Sequence, residues 1–317
     1  MNRRPTHTLT QGILCVALVA SLSASSLQAQ TIDDGIMIDR HHLLTGGHFT
    51  HETWDEYWEG TLKRVNGNIG TITTQTTIWS VNYGITDRLN VLATIPYVQT
   101  RASQGVLRGM SGFQDITLAG KYSLLEKPST RFGSLRAIGV LSGGIPLGDY
   151  TPDFQPLSIG SASKRLSGRG TLNLQSAAGW FLNGSTAYTW RSTVTLDRPY
   201  YFTDDAFFLT DQVDMPNVFD YVASGGYLKR GLMAGFSFSQ QRTLGGGDIR
   251  RQDMPFVSNR MDFCRIGGMV MSPVPKLRNL AFRFNYAYTV SGRNVGQATT
   301  FTAGLLYKFH LPGSRTQ

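Results

Sequence analysis

The sequence predicts an all-β chain: an antiparallel up-and-down transmembrane β-barrel of about twelve strands, with short periplasmic turns and long extracellular loops. Three observations carry that expectation. They are a strict two-residue alternation with an aromatic face, connections that alternate between short and long, and an export signal at the start of the chain. The alternation is cleanest where Leu280, Phe282, Phe284, Tyr286, Tyr288 and Val290 interleave with Ala281, Arg283, Asn285, Ala287 and Thr289. Only a β-strand places such a set on one face. After the turn at residues 291–294, Phe301, Ala303, Leu305, Tyr307 and Phe309 again oppose Thr302, Gly304, Leu306 and Lys308. Such ribbons suit a soluble sandwich with its apolar side inward, or a membrane barrel with that side toward lipid.

The first residues indicate the compartment. Arg3 and Arg4 precede an apolar run at 13–20 and a small-residue stretch ending at Ala29. Residues 1–29 therefore read as a secretory signal peptide, too short to span a bilayer as a helix. Leu14, before Cys15, is not the small residue that a lipoprotein cysteine needs. Losing this segment takes the formal charge from +9 to +7 and leaves Cys264 alone, so no intramolecular disulfide is expected. No later run approaches the roughly 18 apolar residues of a membrane helix. The slightly negative mean hydropathy is no obstacle, because half of each barrel strand faces water. The basic residues are scattered rather than clustered, and an exported chain rarely meets DNA, so nucleic acid is not an expected partner.

The elements follow in order. Residues 30–41 are acidic and poor in strand character, either a flexible periplasmic lead-in or a plug. The barrel is expected over residues 42–309, with a tail at 310–317. A noisy first strand at 42–54 leads to a loop at 55–70. Strand 71–85 shares Trp79, Val81, Tyr83 and Ile85 on one face, and a tight turn leads to 89–99, where Leu89, Val91, Ala93, Ile95 and Tyr97 align. Pro96 lacks a ladder donor and marks a bulge or strand end nearby. Strand 113–125 sets Ile116, Leu118, Tyr122 and Leu124 against Asp115, Thr117, Lys121 and Ser123. Strand 132–145 follows, then a long loop at 146–169. Strands 171–182 and 185–196 form a hairpin around Asn183-Gly184, the strongest short turn signal in the chain. After a loop at 197–216 come strands 218–228 and 232–241, a loop at 243–258, and strand 260–271, which Arg265 interrupts. Long and short connections alternate along this list, as in membrane barrels. A soluble sandwich gives no reason for that.

Two resemblances bear on this reading. Thr302, Gly304, Tyr307 and Phe309 resemble the polar-x-Gly-x-x-aromatic-x-aromatic signature that closes bacterial outer-membrane barrels and is read by their assembly machinery. Tyr83-Gly84-Ile85-Thr86-Asp87-Arg88-Leu89 through Ile95-Pro96-Tyr97 resembles the MetA-pathway phenol-degradation family of outer-membrane proteins. Gly112-Phe113-Gln114-Asp115 with Leu118 and Lys121-Tyr122, and Gly144-Ile145-Pro146-Leu147-Gly148-Asp149, look like two further motifs of that family, with Gln114 where a second glycine is expected. The resemblance implies an outer-membrane barrel of a Gram-negative bacterium that passes small, often aromatic compounds. It supplies no catalytic or binding residues.

Function should then sit on the wet face. The expected pore-lining residues are Asp115, Lys121, Arg136, Arg191, Asp220, Arg283 and Lys308. An Arg or Lys facing lipid at the midplane costs about 2–4 kcal/mol, so these should turn inward. They form either a constriction that selects by size and charge or ion pairs that fill and close a narrow barrel. Five bases against two acids favour anionic or polarisable aromatic solutes. His41, His42, His48 and His51 crowd one window near Asp39 and Glu52, but His42 and His48 lie about 20 Å apart along a strand, too far to chelate together. They read as ordinary strand residues, and neither metal nor other cofactor is expected. Trp54, Tyr57 and Trp58 at one end, and Tyr307 and Phe309 at the other, suit interfacial aromatic girdles.

A passive channel for small, aromatic or anionic solutes is thus the leading expectation. A non-conducting structural or adhesive barrel acting through its outer loops is the alternative. A lipid-modifying enzyme ranks below both, because no Ser–His–acid constellation is identifiable from spacing. The expected partners are outer-membrane lipids, the barrel assembly machinery and a small-molecule solute, and the barrel is expected to be a monomer.

Overall fold

The computed structural model describes residues 31–250, 255–277 and 279–311. The expected signal peptide and residues 312–317 of the tail lie outside them. Twelve long strands make up the body: β1 (His42–Trp54), β2 (Ile72–Gly84), β3 (Leu89–Ala102), β4 (Asp115–Thr130), β5 (Gly133–Pro146), β6 (Arg165–Gln175), β7 (Trp180–Arg191), β8 (Asn217–Lys229), β9 (Leu232–Leu244), β10 (Asp262–Pro273), β11 (Leu280–Arg293) and β12 (Thr299–His310). Each pairs antiparallel with the next, and β1 pairs with both β2 and β12, so the sheet closes on itself. Closure removes the exposed edges of an open sheet. Even the shortest, β6 with 11 residues, crosses a roughly 25 Å apolar band at about 3.3 Å per residue and a tilt of about 45°.

The two faces sort as the alternation dictates. Phe49, Trp79, Leu118, Leu172, Trp180, Phe236, Phe284 and Leu305 stand exposed on the outer wall. The interleaved side chains, among them Leu44, Leu92, Ile138, Met233, Met271 and Leu306, are buried inside. A soluble protein rarely tolerates so large a continuous apolar surface. Five short turns, at 85–88, 131–132, 176–179, 230–231 and 274–279, mark one rim; the other carries the longer loops at 55–71, 103–114, 147–164, 192–216 and 245–261.

One hairpin is misplaced by sequence reasoning. The β6–β7 turn lies at 176–179, and Asn183-Gly184 sits within β7, where Asn183 pairs with Asn173 and Ser224. Ser176 N donates to Trp180 O at 2.7 Å, Gly179 N donates to Ser176 O at 3.0 Å, and Gly179 takes φ +108°, which favours glycine. Asn183 is instead wanted in the lumen, where its Nδ2 donates to Asp33 O at 2.9 Å. A contact 150 residues apart overrides the local turn preference. The same shift makes residues 165–169, expected as loop, the start of β6. The irregularity expected near Pro96 falls on the neighbouring strand, at Gln114. The short strand Ser111–Phe113 pairs with Tyr97–Gln99, and Gln114 N then donates to Pro96 O at 3.0 Å before β4 begins.

Of residues 30–41, expected as a lead-in or a plug, the described part from Thr31 onward packs against the inner wall. Ile36 and Ile38 pack against Leu44, Phe181, Leu228, Met233 and Met271, while Met37 and Ile32 pack against Leu92, Ala119, Ile138 and Val140. All these strand residues point inward. The segment therefore lies inside the barrel at its short-turn end.

Candidate functional site

The lumen has two charged levels. At the short-turn end the plug supplies acids and carbonyls, and the wall supplies cations. Lys121 is 0% exposed. Its Nζ donates to Thr31 O and Asp34 O, both at 2.8 Å, and to Asp34 Oδ1 at 2.7 Å. That satisfies all three ammonium donors of a buried charge. Arg136 Nη1 donates to Gly35 O at 3.2 Å while its Nε lies 3.0 Å from Glu126. Lys308 Nζ donates to Asp39 at 3.1 Å. Asn90 holds Ile38 from both sides, accepting from its N–H and donating to its carbonyl. Arg283 donates through Nε to Asn285 at 3.2 Å and lines, with Asp34, Arg136, Asn183 and Met271, a cavity of about 40 Å³. That is room for a few waters.

Toward the long loops lies a second level. Asp115 accepts from Tyr150 OH at 2.8 Å and pairs with Arg165 at 2.9 Å. Asp220 pairs with Arg169 at 2.6 Å, whose Nη1 also donates to Ser185 at 2.8 Å. Arg191 points inward on β7, its backbone N–H bound to Asn217. Arg265 lies 3.6 Å from Glu52, donates to Thr289 and stacks its guanidinium 4.5 Å over Phe263. Loop 147–164 folds into this mouth, with Tyr150 and Ile159 packing on Val98. Burial, and then the bond to Asp115, hold the Tyr150 hydroxyl well above the usual tyrosine range, so it stays a donor.

All seven residues expected to line the pore thus sit on the inner face. The structure divides them: Lys121, Arg136 and Lys308 clamp the plug, Asp115 and Asp220 are engaged by arginines, and Arg191 and Arg283 have no carboxylate within ion-pair distance among the described residues. Sequence reasoning missed Arg165 and Arg169, which it placed in a loop. Their odd-numbered spacing with Thr171 and Asn173 already continued the polar face of β6. Arg265 looked like a break in an apolar face; it shares the inward side of β10 with Met269 and Met271, and the register shift opposite it puts the extra residue, Val290, on β11.

The other candidates resolve geometrically. His48 faces inward and His51 outward, so the histidine window does not converge. His48 Nε2 lies 3.4 Å from Ser80 Oγ, but the ring packs against Gly304, and among the described residues no carboxylate orients it as a catalytic base requires. Trp58 is no girdle residue. It is 8% exposed, its backbone N–H donates to Val295 O at 2.9 Å, and its ring fills the space left by Gly292. Trp54 likewise covers Gly296. The ribbon Glu56–Glu59/Leu62–Val65 folds these rings over the β11–β12 connection. Tyr307 and Phe309 do stand on the outer wall, rings 4.4 Å apart.

Comparison with solved structures gives the architecture its setting. An outer membrane channel from Pseudomonas putida F1 superposes with a TM-score of 0.69 at 14% identity, over 88% of this chain and 100% of that one. The fold is that of an outer-membrane barrel. The NanC porin matches with a TM-score of 0.46 at 8% identity, covering 83% of this chain and all of that one. A mutant of TodX, a monoaromatic hydrocarbon channel, gives 0.43 at 9% identity, covering 86% and 91%. No family model matches the chain, and no curated protein matches it.

Proposed function

We propose that this chain is a passive conduit of the Gram-negative outer membrane for small anionic or aromatic solutes. The observation that carries the proposal is the distribution of side chains: aromatics toward lipid, and an arginine-rich, water-compatible interior enclosed by a closed sheet. In such a lumen the guanidinium group of Arg191 attracts anions and polarisable rings, whereas Arg283 faces Asp33 and Asp34 of the plug. The motifs resembling the MetA-pathway family point the same way. The C-terminal signature on β12 supports recognition by the barrel assembly machinery, and a single closed barrel needs no second copy to complete its lumen.

The test is conductance in planar bilayers. Purified protein should pass ions, and Arg136→Ala with Arg191→Ala should lower anion preference, read as a shifted reversal potential. An unchanged potential removes these residues from the path. One observation favours a second reading, a sealed structural or adhesive barrel. Plug and inward-folded loop leave only a small cavity between plug and wall. A barrel that never conducts, with its plug displaced or in place, selects that reading. Lipid hydrolysis abolished by His48→Ala would overturn both.

A further inference from the structure

Phe236 is 82% exposed, more than any other aromatic side chain within the twelve strands. Its direct partners on both sides are glycines, Gly225 on β8 and Gly268 on β10. Neither takes a left-handed φ. A Cβ at Gly268 would approach nothing closer than 3.5 Å, and one at Gly225 nothing closer than 3.4 Å, ordinary van der Waals contacts. The adjacent Gly226 differs, since a Cβ there would strike the Ala234 carbonyl. Backbone geometry and packing therefore demand Gly226 but not Gly225 or Gly268. A glycine inside a strand weakens it and often marks close approach of a ligand. The two glycines floor a groove of about 690 Å³ on the outer wall, flanked by Trp180, Tyr227 and Tyr286.

The groove runs toward the short-turn rim. Gly225, Tyr227 and Lys229 share the outer face of β8, so Lys229 stands about 7 Å beyond Tyr227. Lys229 is exposed, as are Arg230 in the next turn and Lys276 in the β10–β11 turn. Neither turn carries an acid among the described residues. Barrels place short turns on the periplasmic side, where the leaflet consists of glycerophospholipids. We infer that this wall binds one anionic phospholipid, with an acyl chain beside Phe236 in the glycine-floored groove and the phosphate at Lys229, Arg230 and Lys276. The apolar walls suit the chain, and the cations at their foot suit the headgroup. The inference rests on the membrane placement proposed above and not on conduction.

The test is native mass spectrometry of the mature full-length protein, released from detergent with phosphatidylglycerol or phosphatidylethanolamine of identical acyl chains. The wild type should retain one phosphatidylglycerol in preference to phosphatidylethanolamine. Lys229→Gln with Arg230→Gln should weaken retention by about a factor of five per cation removed. Gly268→Leu, which fills the groove and leaves the charges, should abolish it. Lys127→Gln, at a basic site on the opposite side of the barrel, should change nothing. Equal retention of both lipids, or undiminished retention by the double charge variant, overturns the inference even if Gly268→Leu fails to fold. A dimer mass in place of bound lipid also overturns it, because the wall would then be an interface between copies. Failure to float with vesicles removes the membrane placement itself, and a barrel that binds lipid without conducting removes only the conduit.

Discussion

At the residue scale, Lys121 and Asn294 show how single polar side chains fasten separate parts of the chain. Lys121 is buried in β4 and bonded three times to the plug 87 to 90 residues earlier. Removing one partner of such a pair leaves an uncompensated charge, typically at about 3–5 kcal/mol. Lys121→Met should therefore release the segment from Thr31 to Asp39. Limited proteolysis would detect new cleavage near residue 35, whereas continued protection would mean the apolar contacts hold the plug alone. Asn294 joins three outer loops. Its Oδ1 accepts from Gly60 and Ile249, and its Nδ2 donates to Asp248 and to Arg260 O. Arg293 adds two bonds to Asp248, at 2.7 and 2.6 Å. Chiefly these Arg293 bonds hold the Asp248 carboxyl below its usual 3.8. A depressed folded value means stability that is complete above the ordinary carboxylate range and fades as pH falls through the lower folded one. Loop protection against protease should thus decline on acidification below about pH 4. Asp248→Asn should flatten that dependence while lowering protection at neutral pH; an unaltered profile would assign the acid sensitivity elsewhere.

At the scale of elements, the β6–β7 hairpin separates what alternation reveals from what turn chemistry reveals. The face of each side chain was legible: Leu172, Leu174, Trp180, Tyr188 and Trp190 lie on one side and Asn173, Gln175, Thr189 and Arg191 on the other, although the turn was expected seven residues too late. Period two depends only on neighbours along the strand, whereas the turn position depends on what the strand encloses. Two glycines test the placement. At Gly179 the positive φ and the Tyr227 ring oppose any side chain, while Gly184 faces open space. Gly179→Val should destabilise the barrel by at least about 1 kcal/mol, and Gly184→Val should stay within about 0.5 kcal/mol. Urea unfolding in lipid vesicles measures both. The reverse order would restore the turn to Asn183-Gly184.

At the scale of the whole molecule, the barrel is a container filled by a plug and an inward-folded loop. The outer wall is made by residues whose role was apparent in order, and closure of β1 on β12 follows from twelve even strands with alternating connections. The contents are non-local. The plug clamps Lys121, Arg136 and Lys308 join segments up to 269 residues apart, and loop 147–164 reaches β3 through Tyr150 and Ile159. Deleting residues 31–38 should leave the closed sheet intact, since none of its ladder hydrogen bonds involves them. It should also raise single-channel conductance several-fold over the full-length chain. Bilayer recordings beside heat-modifiable gel mobility would check both. Equal conductance would place the limiting constriction at the outer loops.

The sequence by itself determined the strands, the two faces of each, their number and the side on which the long loops lie. All of these are written in spacing along the chain, where a period of two and a run of turn residues need no knowledge of distant neighbours. Tertiary structure alone decided which inward charges hold the plug, where β6 turns into β7, and why Trp58 is buried. Those outcomes depend on what shares the enclosed space. A lysine facing inward reads the same along the chain whether it meets water or Asp34, and only the folded path of residues 31–39 settles which.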